Sequence, residues 1–267
     1  MTALPPAEPQ QPTYYQQPLL KPPVWTWEVP TYFFIGGAAG AAAVVAAAAQ
    51  LTGADAKLVR DARWIAAIGA NASTPLLIAD LGRPQRFLNM LRVFRPQSPM
   101  SVGAWVVAVF GGTSTAAVIA PGKSLRDVFA ALSAMSGLAM STYTGVLLGA
   151  TAIPVWREHM ALLPAHFGAS ALGSAASLLE LRGHREPALN ALALGAAIFE
   201  SAADLSVQNK AGLLRVAGVL SGPVPLLLRL FGKRKAAAAI TLLGSLATRF
   251  AWVEAAKRSA KDTSAAL

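Results

Sequence analysis

Two tryptophans and a glutamate, Trp25, Trp27 and Glu28, stand where the stretch WTWEVPTYFFIGGAAG turns apolar. Indoles beside a carboxylate at the mouth of a hydrophobic helix can wall a slot for a flat ring. The acid can then pass protons at the edge of the slot. More polar groups recur inside otherwise apolar segments: Asp80, Tyr143, His166, Glu200, Asp204 and Arg249. Glu200 and Asp204 are four residues apart and so share one helix side. Arg249 is placed to neutralise Glu200. Ionisable groups within a membrane are costly and face a protein interior or a water-filled cavity. The set therefore reads as a polar cavity suited to proton exchange and hydrogen bonding. Structural readings stand beside the chemical ones. Trp25 and Trp27 also suit an interfacial aromatic belt, and Glu28 also favours a helix N-terminus. Glu200 with Arg249 also reads as a structural ion pair, and His166 as a hydrogen-bonded packing residue.

The elements that must position these residues are membrane helices. Of 267 residues, 54% are hydrophobic and only 13% charged, and the mean hydropathy is +0.47. Soluble domains carry about a quarter charged residues, so lipid must cover much of this surface. Eight apolar stretches are long enough to span a bilayer: 31–51, 63–81, 101–120, 127–150, 159–179, 188–206, 211–231 and 235–256. The predicted fold is an all-α polytopic bundle of about eight transmembrane helices with both termini on the same side. A Pro- and Gln-rich extended tail, 1–24, precedes the membrane domain at 25–256, and a polar tail, 257–267, follows it. Gly36–Gly40 is a GxxxG packing signal, and Pro223 with Pro225 predicts a kink. In this topology the polar residues gather toward the N-terminal face, and the opposite half is expected to be apolar. Lys and Arg divide evenly between the two faces, so the positive-inside rule gives no orientation.

Composition also excludes classes of function. The hydropathy rules out a soluble enzyme, and no nucleic-acid partner is expected. The net charge of +10 is carried by the short loops, where it reads as contact with membrane lipids and as topology signals. With no Cys, the chain cannot hold an iron–sulfur cluster through thiolates, and its three His offer no paired axial ligands for a haem.

The most distinctive loop is ADLGRPQRFLNMLRVFRPQSPMSVGAW, residues 79–105. It turns at Gly82 and Pro84, then places Phe87, Leu88, Leu91 and Phe94 at helical spacing with Arg86, Arg92 and Arg95 on other faces. That is the pattern of a short interfacial helix, about 84–95, ended by Pro96, with Ser101 as the N-cap of the next helix. With Arg83 it offers four arginines, to lipid phosphates or to another subunit.

At these residues the sequence resembles a known family. W-x-W-E-x-P-x-Y-F-F-x-G-G followed by D-L-G-R-P-x-R-F-x-N-M-L-R-V-F-x-P-x-S-P-M-S-V-G is similar to the NrfD/PsrC family, the polysulfide reductase-type membrane subunits of complex iron–sulfur oxidoreductases. The likeness covers residues 24–105 and returns at Tyr143-Thr-Gly-Val-Leu-Leu and Ala152-Ile-Pro-Val-Trp. It implies a membrane anchor without haem or cluster of its own, a non-catalytic or quinone-site subunit in the bacterial cytoplasmic (inner) membrane. The cofactor it implies is a quinone, menaquinone or ubiquinone. The partners it implies are a ferredoxin-like [4Fe–4S] subunit on the N-terminal face and a molybdopterin-type catalytic subunit. Carried over by position, quinone binding falls to Trp27, Glu28 and Tyr143, and Asp80, closing the second span at the same face, joins Glu28 as a candidate for proton transfer. Partner docking falls to Trp25, Arg83, Arg86, Arg92 and Arg95. His166, Glu200, Asp204 and Arg249 would line a further polar cavity. Some members have a His and an Asn at the start of the first helix; here Glu28 stands in their place. Two other readings remain: a secondary transporter, which would show inverted repeats and interrupted helices, and a purely structural anchor of a redox complex.

Overall fold

The computed structural model describes residues 20–207 and 212–261. The tails expected at 1–24 and 257–267 therefore fall largely outside the described residues. Within them the regular structure is helical throughout: α1 (Glu28–Leu51), α2 (Ala56–Asp80), α3 (Gln85–Arg92), α4 (Pro99–Ile119), α5 (Lys123–Gly149), α6 (Pro154–Glu158), α7 (Leu162–Leu181), α8 (Pro187–Ser206), α9 (Leu213–Ser221), α10 (Pro223–Leu230) and α11 (Arg234–Ser259). Seven helical segments among the described residues are long and apolar enough to cross a membrane, with α9 and α10 counted together. The number is eight if α2 and α3 form one bent span. The all-α membrane bundle predicted from hydropathy is the observed fold.

One expected span is divided. The stretch expected at 159–179 holds one helix, α7, which starts at Leu162 and is preceded by the short α6. The stretch expected at 211–231 breaks at Gly222 between α9 and α10. Pro223 opens α10 there, because a residue without an N–H is best accommodated in a first turn, whose N–H groups have no partner within the helix.

α1 runs through the middle of the bundle, packed on α2, α5, α7 and α11. Its run GGAAGAAAVVAAAA lets neighbouring backbones come close. Gly40 lies against the backbone carbonyl of Gly137 in α5, where a Cβ on either glycine would collide. Around this axis Phe33, Phe110, Met140, Leu148, Trp156 and Phe167 form the buried core. Large apolar side chains such as Ile68, Ile119, Met135, Leu138 and Leu205 are exposed, as suits a surface covered by lipid.

α2 and α3 meet at 105°, turning at Gly82 with φ +67°, a backbone conformation costly for a side chain. α3 turns Phe87, Met90 and Leu91 inward. Leu88 and Phe94, expected on that face, are 68% and 54% exposed. Leu88 is one residue, about 100°, round from Phe87, and Phe94 lies beyond the helix end, edge-on to Trp105. Arg83, Arg86, Arg92 and Arg95 are all exposed, and Arg86 donates to the Leu81 carbonyl at 3.1 Å. The N-cap of α4 is Ser98, whose hydroxyl accepts from the Ser101 N–H. Ser101, expected to be the cap, lies inside the first turn because Pro99 can already start the helix.

The half of the bundle away from the start of α1 is not purely apolar, contrary to expectation. Arg229 and Glu180 form a buried ion pair at 2.7 Å, and Arg229 also donates to Asn190 at 3.0 Å. His184 meets Asp61 at 3.0 Å, and Arg63 meets Asp127 at 2.8 Å. Each pair sits near helix ends and joins distant parts of the chain; the Arg229–Glu180 and His184–Asp61 groups are buried as pairs, while Arg63 and Asp127 are partly exposed.

Candidate functional site

The start of α1 opens into a cleft of about 600 Å³ of empty space, its open mouth included. Trp25 reaches its wall from the chain before α1, stacked on Trp156 at 5.4 Å and edge-on to Phe33 at 5.8 Å. Val29, Tyr32 and Phe33 follow from the first turns of α1. The end of α2 contributes Leu77 and Asp80, α3 contributes Phe87 and Met90, and α5 contributes Tyr143 and Leu147. The start of α4 closes it with Pro99, Met100 and Gly103. The walls are chiefly apolar, and the polar side chains are the Asp80 carboxyl and the phenols of Tyr32 and Tyr143. A flat, apolar ring with hydrogen-bonding oxygens matches that lining.

Tyr143 is half-buried and donates its hydroxyl proton to the Pro99 carbonyl. Its ring lies against Gly103, where an added Cβ would come within 2.8 Å of it. Residue 103 therefore has to be small for the tyrosine to reach the cleft. Glu28 accepts a hydrogen bond from Thr26 and lies at the rim, within electrostatic reach of Asp80. The four residues assigned to the ring and its protons do not all meet. Asp80 and Tyr143 line the cleft, Glu28 stands beside it, and Trp27 is 59% exposed and off the wall. Trp25, assigned to docking, lines the cleft instead. Both tryptophans precede α1, so helical spacing does not tell which of them turns inward. Tyr32 was not singled out from sequence, although it stands four residues after Glu28, on the same helix side.

The second group of predicted residues does assemble. His166 of α7 and Glu200 of α8 approach to 3.3 Å, Nδ1 to Oε1. Arg249 of α11 and Asp204 are further electrostatic neighbours of Glu200. Arg249, 1% exposed, donates to the Phe167 carbonyl at 3.1 Å and lies 4.1 Å above the Phe167 ring. His166 and Asp204 line a small cavity with Gly218, Thr248 and Trp252. An aromatic wall joins the two sites: Trp156, stacked on Trp25, donates to the Trp252 carbonyl at 3.0 Å, and the Trp252 ring faces His166 at 6.2 Å.

No match was found among the curated proteins. A protein-family model described as polysulfide reductase, NrfD type, matches residues 19–261, which includes both sites and every helix above. This integral membrane chain belongs to the NrfD-type polysulfide reductase family.

Proposed function

We propose that the chain is the quinone-interacting membrane anchor of a multi-subunit iron–sulfur oxidoreductase with a molybdopterin-type catalytic subunit. It would exchange electrons between a partner's cluster and the quinone pool of the bacterial inner membrane. Family membership supports a membrane subunit of a redox complex, and one observation carries the finer reading: the apolar cleft at the start of α1, with two phenols and one carboxyl in its lining.

A bound quinone supplies the two-electron, two-proton chemistry. The residues of this chain hold it and handle its protons. Trp25 and Phe33 wall the ring, and the Tyr143 hydroxyl exchanges its Pro99 acceptor for a ligand oxygen. Asp80 inside and Glu28 at the rim pass protons between the cleft and water. α3 lies at the mouth, and its exposed Arg83, Arg86 and Arg92, with Arg95 beyond it, offer a basic surface to the [4Fe–4S] subunit. Trp27, exposed at the same end, extends that surface.

The helix break at Gly222, against Ser201, the residue that follows Glu200, favours a second role. His166, Glu200, Asp204 and Arg249 would line a water path for protons, which is also the feature a transporter would use.

Purification of the tagged protein in mild detergent tests the main reading. Co-purification of a Cys-rich ferredoxin-like chain, a large molybdopterin-type chain and a quinone is the expected result. A properly assembled protein that emerges alone and quinone-free would overturn the assignment in favour of the transporter.

A further inference from the structure

At the end of the bundle opposite the cleft, α2, α4 and α5 leave a groove of about 1140 Å³ including its open side. Gln50 lies at its edge, roughly 33 Å along α1 from Glu28 at 1.5 Å per residue. Four cations line it: Arg60 and Arg63 from the first turns of α2, and Lys123 and Arg126 from the first turn of α5. The one acid in the lining, Asp127, is held by Arg63 at 2.8 Å. Arg63 also donates to Gln50, so the groove's charge is fixed in place at its floor. Arg60 approaches Asp61 only at 3.9 Å and has 65% of its side chain exposed, and Lys123 is exposed as well. α5 begins after Gly122 with no side chain capping its first turn, which adds helix N–H groups to a site already rich in positive charge.

The other lining residues are apolar: Val59, Trp64, Ala117 and Val118. Away from the helix ends, the surface of the same helices continues with exposed Ile68 on α2, Val109 on α4 and Val128 on α5. Excess positive charge at helix ends, an indole at the boundary and an apolar face running away from both describe one ligand chemistry. It is a phosphate diester with acyl chains. We infer that this groove is a specific site for an anionic phospholipid, its phosphate held by Arg60, Lys123 and Arg126 and its chains laid along α2 and α4. A free phosphate shares the headgroup chemistry but makes no use of the apolar face. The site lies at the far end from the proposed quinone cleft and does not depend on it.

The test uses the whole chain with its co-purifying subunits, exchanged into nanodiscs of mixed phosphatidylcholine and phosphatidylglycerol. After release into detergent, retained lipids are counted by native mass spectrometry. The unmodified protein is expected to retain phosphatidylglycerol over phosphatidylcholine. The triple variant Arg60→Gln, Lys123→Gln, Arg126→Gln spares the Arg63–Asp127 pair and is expected to lose about 100-fold in that preference. Equal retention of the two lipids by the unmodified protein would overturn the inference whether or not the variant folds. So would unchanged retention in the variant. Displacement of the retained lipid by millimolar inorganic phosphate would also overturn it, since the site would then serve a free anion.

Discussion

Tyr143 occupies two positions in the chemistry, one structural and one proposed. Its hydroxyl donates to the Pro99 carbonyl in the first turn of α4, and its ring edges the cleft. Tyr143→Phe keeps the ring and its packing on Gly103 and removes only the donor. Quinol turnover by the assembled complex is expected to fall about 10-fold, the worth of one hydrogen bond to a ligand oxygen, with subunit content unchanged. Turnover at the wild-type rate would remove Tyr143 from the site. Glu180 and Arg229 invite a different test, because 2.7 Å separates two buried charges. Glu180→Leu leaves a buried guanidinium and should cost about 3–5 kcal/mol of stability. Glu180→Leu with Arg229→Leu should recover most of that loss. Thermal unfolding in detergent reads both, and a single variant melting with the wild type would show the pair to be dispensable.

Among elements, the α1–α5 crossing is the most sensitive to side-chain volume. Gly40 faces the Gly137 backbone, which cannot move aside as a flexible side chain can. Gly40→Leu should therefore push the helices apart and cost at least about 2 kcal/mol, lowering both yield and melting temperature. Gly111 in α4 is the contrast: nothing lies within 4 Å of an added Cβ. Gly111→Ala should be neutral or raise stability by about 0.5–1 kcal/mol through helix propensity. A Gly40 variant as stable as the Gly111 variant would mean that the crossing is looser than described. Gly222, at the break between α9 and α10, meets the Ser201 backbone and is likewise closed to a side chain.

For the whole molecule, α3 and the groove at Lys123 lie at opposite ends of α4, about 30 Å apart over its 21 residues. A chain without Cys makes that separation easy to test. Arg86→Cys and Lys123→Cys should react with a membrane-impermeant maleimide from opposite sides of sealed vesicles. Labelling of both from the same side would show that α4 does not span. The same experiment assigns the side of the proposed partner, which the even distribution of Lys and Arg leaves undecided.

Much of this protein is legible in the sequence because a bilayer imposes a one-dimensional rule. A segment must be apolar for about 20 residues to cross, so an all-α bundle of about eight spans, where the described residues hold seven or eight, the turn at Gly82 and Pro84, and the break at Pro223 can be read along the chain. The DLGRPQRF motif and the YTGVLL stretch likewise place Asp80 and Tyr143 as candidates, and His166, Glu200, Asp204 and Arg249 are marked by polarity alone. What tertiary structure decided was which of these face each other. Trp25 rather than Trp27 lines the cleft, because both precede α1 and no helical period governs them. Phe87, Met90 and Leu91 rather than Leu88 and Phe94 pack inward from α3, because the rotation of a short helix is set by what it lies on. The Glu180–Arg229, Asp61–His184 and Arg63–Asp127 pairs were invisible for the same reason. Their partners lie 49, 123 and 64 residues apart, and only helix packing, which hydropathy does not encode, brings such charges within reach.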